Sequence, residues 1–134
     1  INELETNEIV VEEHNIHISN FTVYYPNNGV SIQNQFLLKL DSMVLSLNMN
    51  SKASVQVNGH ASSLASEQYN MKLSEKRMEN VVSYLLKKGL SIDRISKNAY
   101  GESQLVNFCE DDKDCEEEMH RLNRRTELKI IYKD

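Results

Sequence analysis

Hydrophobic and polar positions alternate most clearly at Val55-Gln56-Val57-Asn58, the period of a half-buried strand. Gly59 ends the alternation and lets the chain turn. A run of small residues from Ala61 to Ser66 follows, and Ser66 is a good helix N-cap. From there Tyr69, Leu73, Val81, Val82, Leu85 and Leu86 recur at helical spacing. Lys87 and Lys88 suit the negative end of a helix dipole, and Gly89 stands where a helix-ending glycine belongs. The pattern predicts a strand, a turn and a long amphipathic helix over residues 55–89. Asn70 and Arg77, seven residues apart, fall on one line down that helix.

The same reading extends both ways. Phe21-Thr22-Val23-Tyr24-Tyr25 has the composition and alternation of a strand, closed by the turn-forming run Pro26-Asn27-Asn28-Gly29. A helix is predicted from Ile32 to Asn48, with Phe36, Leu37, Leu40, Val44 and Leu47 as its apolar stripe. Downstream, Ile95 to Tyr100 reads as a third strand. Asp114 and Glu117 have the spacing of a capping box for a short helix through Leu122. Arg125 to Tyr132 alternates as a final strand, with Thr126, Leu128, Ile130 and Tyr132 on one face. The order β-α-β-α-β-(α)-β implies a two-layer α/β (α+β) sandwich, a mixed sheet with helices on one face. Residues 1–20 are expected to form an N-terminal extension or edge strand, and residues 21–134 the domain proper.

Composition narrows the function. With 134 residues the chain is long enough for one domain with a real core. A net charge of −5 supplies no basic stripe for phosphates and argues against nucleic acid. No apolar run reaches the length of a membrane helix. The chain opens on Ile1 without a charged-then-apolar leader, so it is expected to be a domain of a longer protein.

Several groups of residues raise chemical candidates. His14 and His17, with Glu12 and Glu13 nearby, lack the spacing of a third metal ligand and read as solvated. Glu110-Asp111-Asp112 with Asp114 lacks the glycine and ligand order of a calcium loop. His60 lies near Ser62, Ser63 and Ser66, but no G-x-S-x-G elbow accompanies them. No enzymatic activity, metal or cofactor is therefore expected. Cys109 and Cys115 are not a C-x-x-C pair, which disfavours zinc and thioredoxin-like chemistry. Arg77 supports two readings by spacing alone. It is either a surface pair with Glu75 or Glu79, or a planar fork offered to a carboxylate.

Five separated motifs, in order, give the chain a resemblance. They are Gly59-His60-Ala61-Ser62; Asn70-x-x-Leu73-Ser74-x-x-Arg77-Met78; Asp93-Arg94-Ile95-Ser96; Tyr100-Gly101-Glu102-Ser103; and Asn123-Arg124-Arg125-Thr126-Glu127. Together they resemble the OmpA-like (OmpA C-terminal, peptidoglycan-associated) domain family, over roughly residues 21–132. The resemblance implies a non-catalytic periplasmic domain associated with the outer membrane of a Gram-negative bacterium. Such a domain anchors an outer-membrane protein or lipoprotein to peptidoglycan by gripping a stem-peptide carboxylate of diaminopimelate type. It implies a binding pocket at Ser62, Asn70, Arg77 and Arg124, and membrane attachment only through the rest of the parent protein. It also implies an oxidising compartment, in which Cys109 and Cys115 are expected to pair.

The chain departs from the family pattern at two positions. The aspartate that ends G-H-T-D is Ser62 here, and the acid that follows the first strand is Pro26. The arginine half of the clamp is kept and the acidic half is missing. Losing one partner of a buried charged pair costs about 2–5 kcal/mol, so affinity for a zwitterion is expected to be weakened. The alternative reading is a degenerate domain of the same fold that serves as a protein-interaction or scaffold module of an envelope complex.

Overall fold

The computed structural model describes residues 8–11, 16–111 and 113–133. Five strands form one mixed sheet in the order β1-β2-β5-β3-β4: β1 Glu8–Val11, β2 Ile16–Tyr24, β3 Ser54–Gly59, β4 Ile95–Ala99 and β5 Arg125–Lys133. Only β3 and β4 run parallel; the other neighbours are antiparallel, with Val23 opposite Thr126 and Val57 opposite Leu128. The helices are α1 Leu37–Asn48, α2 Glu67–Lys87 and the short α3 Glu117–Arg121.

The core lies between the sheet and the two long helices. Val23, Val55, Val57, Leu128 and Ile130 from the strands meet Leu40, Val44 and Leu47 of α1 and Val81, Val82 and Leu85 of α2. This is the predicted sandwich. Phe36 packs against the cluster, whereas Leu73 is buried apart from it, in the first half of α2. Tyr69 and Leu86, at the margins of the predicted stripe, are part-exposed.

The punctuation of α2 follows its chemistry. The Ser66 hydroxyl accepts a hydrogen bond from the Tyr69 amide, satisfying an orphan donor of the first turn. Gly89 adopts a φ of 105°, the left-handed conformation that ends helices at little cost in glycine. At the other end of β3, Gly59 lets α2 touch the strand: a Cβ there would lie 2.1 Å from the Ser74 carbonyl oxygen. Arg94 fastens the far end of the domain, donating to the carbonyls of Leu47, Asn50 and Ala53 where α1 terminates.

Three boundaries differ from the sequence pattern. Strand β2 begins at Ile16, five residues before the expected start, and pairs with β1 on one side and β5 on the other. The first helix begins at Leu37; Asn34–Phe36 instead form a single 3-10 turn. The capping box is absent. Glu116 occupies the N-cap of α3 without a side-chain cap, and Glu117 turns to Arg124 rather than back to Asp114. A charge-assisted bond to a buried guanidinium outcompetes an exposed cap. Glu12, Glu13 and His14, weighed above as metal ligands, lie outside the described residues. Among the described residues no helix is long and apolar enough to cross a membrane.

Candidate functional site

Two of the candidate residues, Arg77 from the middle of α2 and Arg124 just before β5, meet at Tyr25, just past the end of β2. Arg77 is the largest fully buried side chain, 0% exposed. Its Nε donates to Gly29 O at 2.7 Å, Nη1 to His60 O at 3.0 Å and Nη2 to Pro26 O at 3.5 Å. Its guanidinium lies over the ring of Tyr25. Burial pulls its pKa down to about 10, so it remains charged at neutral pH. The surface-pair reading of Arg77 is thereby excluded; Glu79 pairs with Lys97 instead. Among the described residues no carboxylate pairs with Arg77. Three carbonyl dipoles hold it, but no described carboxylate neutralises it.

Arg124 is buried too and also meets Tyr25. Its Nε donates to Tyr25 O at 2.9 Å and its Nη2 pairs with Glu117. Its Nη1 is buried with no hydrogen-bond partner among the described residues. Arg124 also lines a cavity of about 310 Å3, shared with Tyr24, Tyr25, Pro26, Gln33, Gln35 and Arg121. Tyr25 touches both arginines, Arg77 with its ring and Arg124 through its backbone carbonyl. Its hydroxyl bonds Thr126 Oγ1 at 2.9 Å, and burial pushes its pKa up to about 12.

Asn70 faces elsewhere. Its Nδ2 donates to Ala65 O and to Glu102 Oε1. Carboxylate oxygens of Glu67, Glu102 and Asp111 gather within 4.8 Å of one another beside it. Burial and the neighbouring Asp111 raise the Glu102 pKa. Ser62 is buried in the loop between β3 and α2, two residues beyond His60, whose carbonyl holds Arg77. The structure thus brings Arg77 and Arg124 together through Tyr25 and commits Asn70 to Glu102.

His60 is stacked on Tyr100, ring centroids 5.3 Å apart, with Nε2 at 3.5 Å from Glu127 Oε1. Among the described residues its Nδ1 has no hydrogen-bond partner, and burial pushes its pKa down. Ser63, one of the serines weighed with His60, donates its hydroxyl to Cys109 O. It is a structural tether between the β3–α2 loop and the acidic loop. Cys109 and Cys115 are bonded, their Cα atoms 5.9 Å apart.

Sequence reasoning did not find Tyr25 as the shelf beneath Arg77, nor Glu117 as the counter-ion of Arg124. The seven-residue spacing of Glu117 and Arg124 spans a helix and a turn, and no helical periodicity relates them. Tyr25 read only as the end of a strand.

A profile described as OmpA family matches residues 24–118. The peptidoglycan-associated lipoprotein of Buchnera aphidicola subsp. Baizongia pistaciae is 32% identical over 85 residues, 63% of this chain and 49% of that protein. Outer membrane protein A of Klebsiella aerogenes is 39% identical over 92 residues, 66% of this chain and 26% of that protein. The chain therefore spans half or less of the length of these two relatives. Among solved structures, the peptidoglycan-associated lipoprotein of Burkholderia pseudomallei superposes with a TM-score of 0.75 at 22% identity, covering 81% of this chain and 88% of that one. The cell wall anchor of the type VI secretion system of Pseudomonas aeruginosa gives 0.68 at 19% identity, covering 96% and 88%. Both structural likenesses are likenesses of fold. With the profile matching residues 24–118, well over half of the chain, the chain belongs to the OmpA family, as a non-catalytic domain.

Proposed function

We propose that this domain anchors its parent protein to peptidoglycan by binding a stem-peptide carboxylate between Arg124 and Arg77. The observation that carries the reading is the uncompensated charge. Among the described residues Arg77 is buried without a carboxylate, and Arg124 Nη1 without an acceptor. A buried cation that lacks its counter-ion is costly, and an entering carboxylate removes that cost. The cavity at Tyr25, Pro26 and Arg124 provides the approach. The bond from Arg77 Nη2 to Pro26 O is the longest of the three and is the one a ligand most readily replaces.

Relatives named for peptidoglycan association and a structural neighbour described as a cell wall anchor favour this ligand. They also favour placement in the periplasm at the outer membrane of a Gram-negative bacterium; attachment as a lipoprotein rests on the names of one relative and one structural neighbour. Ser62 and Pro26 offer no carboxylate to the ammonium of diaminopimelate, so the hold on that zwitterion is weak.

One observation favours a second reading. All three hydrogen bonds of Arg77 end on backbone carbonyls of its own chain, as in an arginine that braces loops. On that reading the domain is a scaffold module for envelope proteins. Co-sedimentation with purified sacculi separates the two. Anchoring predicts pelleting of the wild-type domain and its loss in Arg124→Gln. A domain that stays in the supernatant at low salt supports the scaffold.

A further inference from the structure

The cavity beside Arg124 combines positive charge with neutral amides. Of the residues that line it, Arg121 and Arg124 are cationic and Gln33 and Gln35 carry uncharged amides; among the described residues no aspartate or glutamate lines it. The carboxylates that touch the two arginines are already engaged. Glu117 accepts from Arg124 Nη2, and Glu118 accepts from both Nε and Nη2 of Arg121. The two glutamines are exposed, and Gln33 opens the 3-10 turn Asn34–Phe36 without capping it by its side chain. A glutamine amide both donates and accepts hydrogen bonds. Arg124 Nη1, buried and without a partner among the described residues, supplies the cation.

We infer that this cavity selects a carboxylate whose neighbouring nitrogen is acylated over one whose neighbouring nitrogen is a free ammonium. The inference rests on carboxylate binding at Arg124 and names the form of the stem peptide that is bound. A free ammonium entering the cavity loses water, meets two guanidiniums and finds no unengaged carboxylate among the described residues. Desolvation and like charge both oppose it, and an unpaired charge of this kind is how a site rejects one ligand in favour of another. An acylated nitrogen is neutral. It loses less on leaving water, and its N–H and carbonyl match the side-chain amides of Gln33 and Gln35. In an uncross-linked stem peptide the diaminopimelate carboxylate sits beside a free amine. Cross-linking acylates that amine with a neighbouring stem. The domain therefore tells the two states of the wall apart and holds the cross-linked one. Ser62 and Pro26, where the family pattern has acids, then mark a change of ligand as well as a loss of affinity for the zwitterion.

Calorimetric titration of two peptides into the whole domain tests it. One is a diaminopimelate-containing stem peptide with that amine free, and the other is the same peptide acetylated at that amine alone. The expected result is that the acetylated peptide binds the wild type at least tenfold more tightly. Gln33→Glu, which adds a carboxylate to the cavity lining, should shrink the gap about threefold by raising affinity for the free amine. Phe108→Glu, which adds the same charge at an exposed site outside the lining, should leave the gap unchanged. Circular dichroism of each variant checks that the fold is kept. Comparable binding of the two peptides, or a gap that Gln33→Glu leaves unchanged or that Phe108→Glu shrinks equally, overturns the inference and leaves carboxylate binding standing. Binding of neither peptide overturns both.

Discussion

The Arg77 guanidinium carbon lies 4.9 Å from the centroid of the Tyr25 ring, and both groups are buried. Tyr25 stands at the end of β2 and Arg77 in the middle of α2, so this contact joins the sheet to the helix at the candidate site. The ring face offers negative potential to a cation that no carboxylate neutralises, and desolvation strengthens that attraction.

Two substitutions separate the ring from the hydroxyl. Tyr25→Phe keeps the shelf and removes the bond to Thr126, and should cost about 1 kcal/mol. Tyr25→Leu removes the cation–π contact as well and should cost roughly 2 kcal/mol more than Tyr25→Phe. Urea unfolding of both variants measures the difference. Equal losses would show that the ring face contributes nothing.

Gly59→Ala tests the close approach of α2 to β3. The added Cβ would collide with the Ser74 carbonyl, a backbone atom that cannot swing away. The expected loss is about 3 kcal/mol or more, the upper range of overpacking. A loss under about 0.5 kcal/mol, as for an ordinary surface site, would contradict the packing described.

Acid should destabilise the domain in two steps. Burial holds the folded pKa of His60 below 6.5, so the unfolded chain takes up that proton first. His60 therefore favours the fold at neutral pH, and that contribution is lost as pH falls below about 6.5. The adjacent His60 and Arg125 hold the Glu127 carboxyl down to about 2. Its contribution is present above the unfolded carboxylate value and lost as pH falls through about 4.5 towards 2. In His60→Gln the fall of Tm between about pH 6.5 and 5 should flatten, leaving only the carboxylate step. An unchanged slope would remove His60 from the account.

The Cys109–Cys115 bridge closes a short loop and should contribute roughly 2 kcal/mol through chain entropy. Alkylation and mass spectrometry without reductant should find no free thiol in protein from an oxidising compartment. Reduction should lower the unfolding midpoint by a corresponding amount. Two free thiols in the untreated protein would contradict the pairing.

Elements whose signal is local were legible in the sequence. The alternation at Val55 and Val57, the Ser66 cap and the helix-ending Gly89 define β3 and α2 within a few residues. Strand β2 was legible only from Phe21 onward. Its first residues include His17, Ser19 and Asn20, and pairing with β1 and β5, a tertiary effect, holds them in the sheet. At the site, spacing placed Asn70 and Arg77 on one buried face. It could not show that Arg77 reaches carbonyls of a turn 48 and 51 residues earlier. Nor could it show that Asn70 turns to Glu102, 32 residues later. The acidic loop misled for a related reason: Glu117 has cap spacing from Asp114, but its ion pair is set by the position of β5.

The central claim is that Arg124 and Arg77 form the arginine half of a clamp whose acidic half is missing at Ser62. Calorimetric titration of a diaminopimelate-containing stem peptide into wild type, Ser62→Asp and Ser62→Asp/Arg124→Gln tests it most directly. The account predicts weak binding to wild type. It predicts at least a tenfold gain, about 1.4 kcal/mol, in Ser62→Asp, and loss of that binding when Arg124 is also replaced. Tight wild-type binding with no gain from the added carboxylate, or binding that survives Arg124→Gln undiminished, would contradict it.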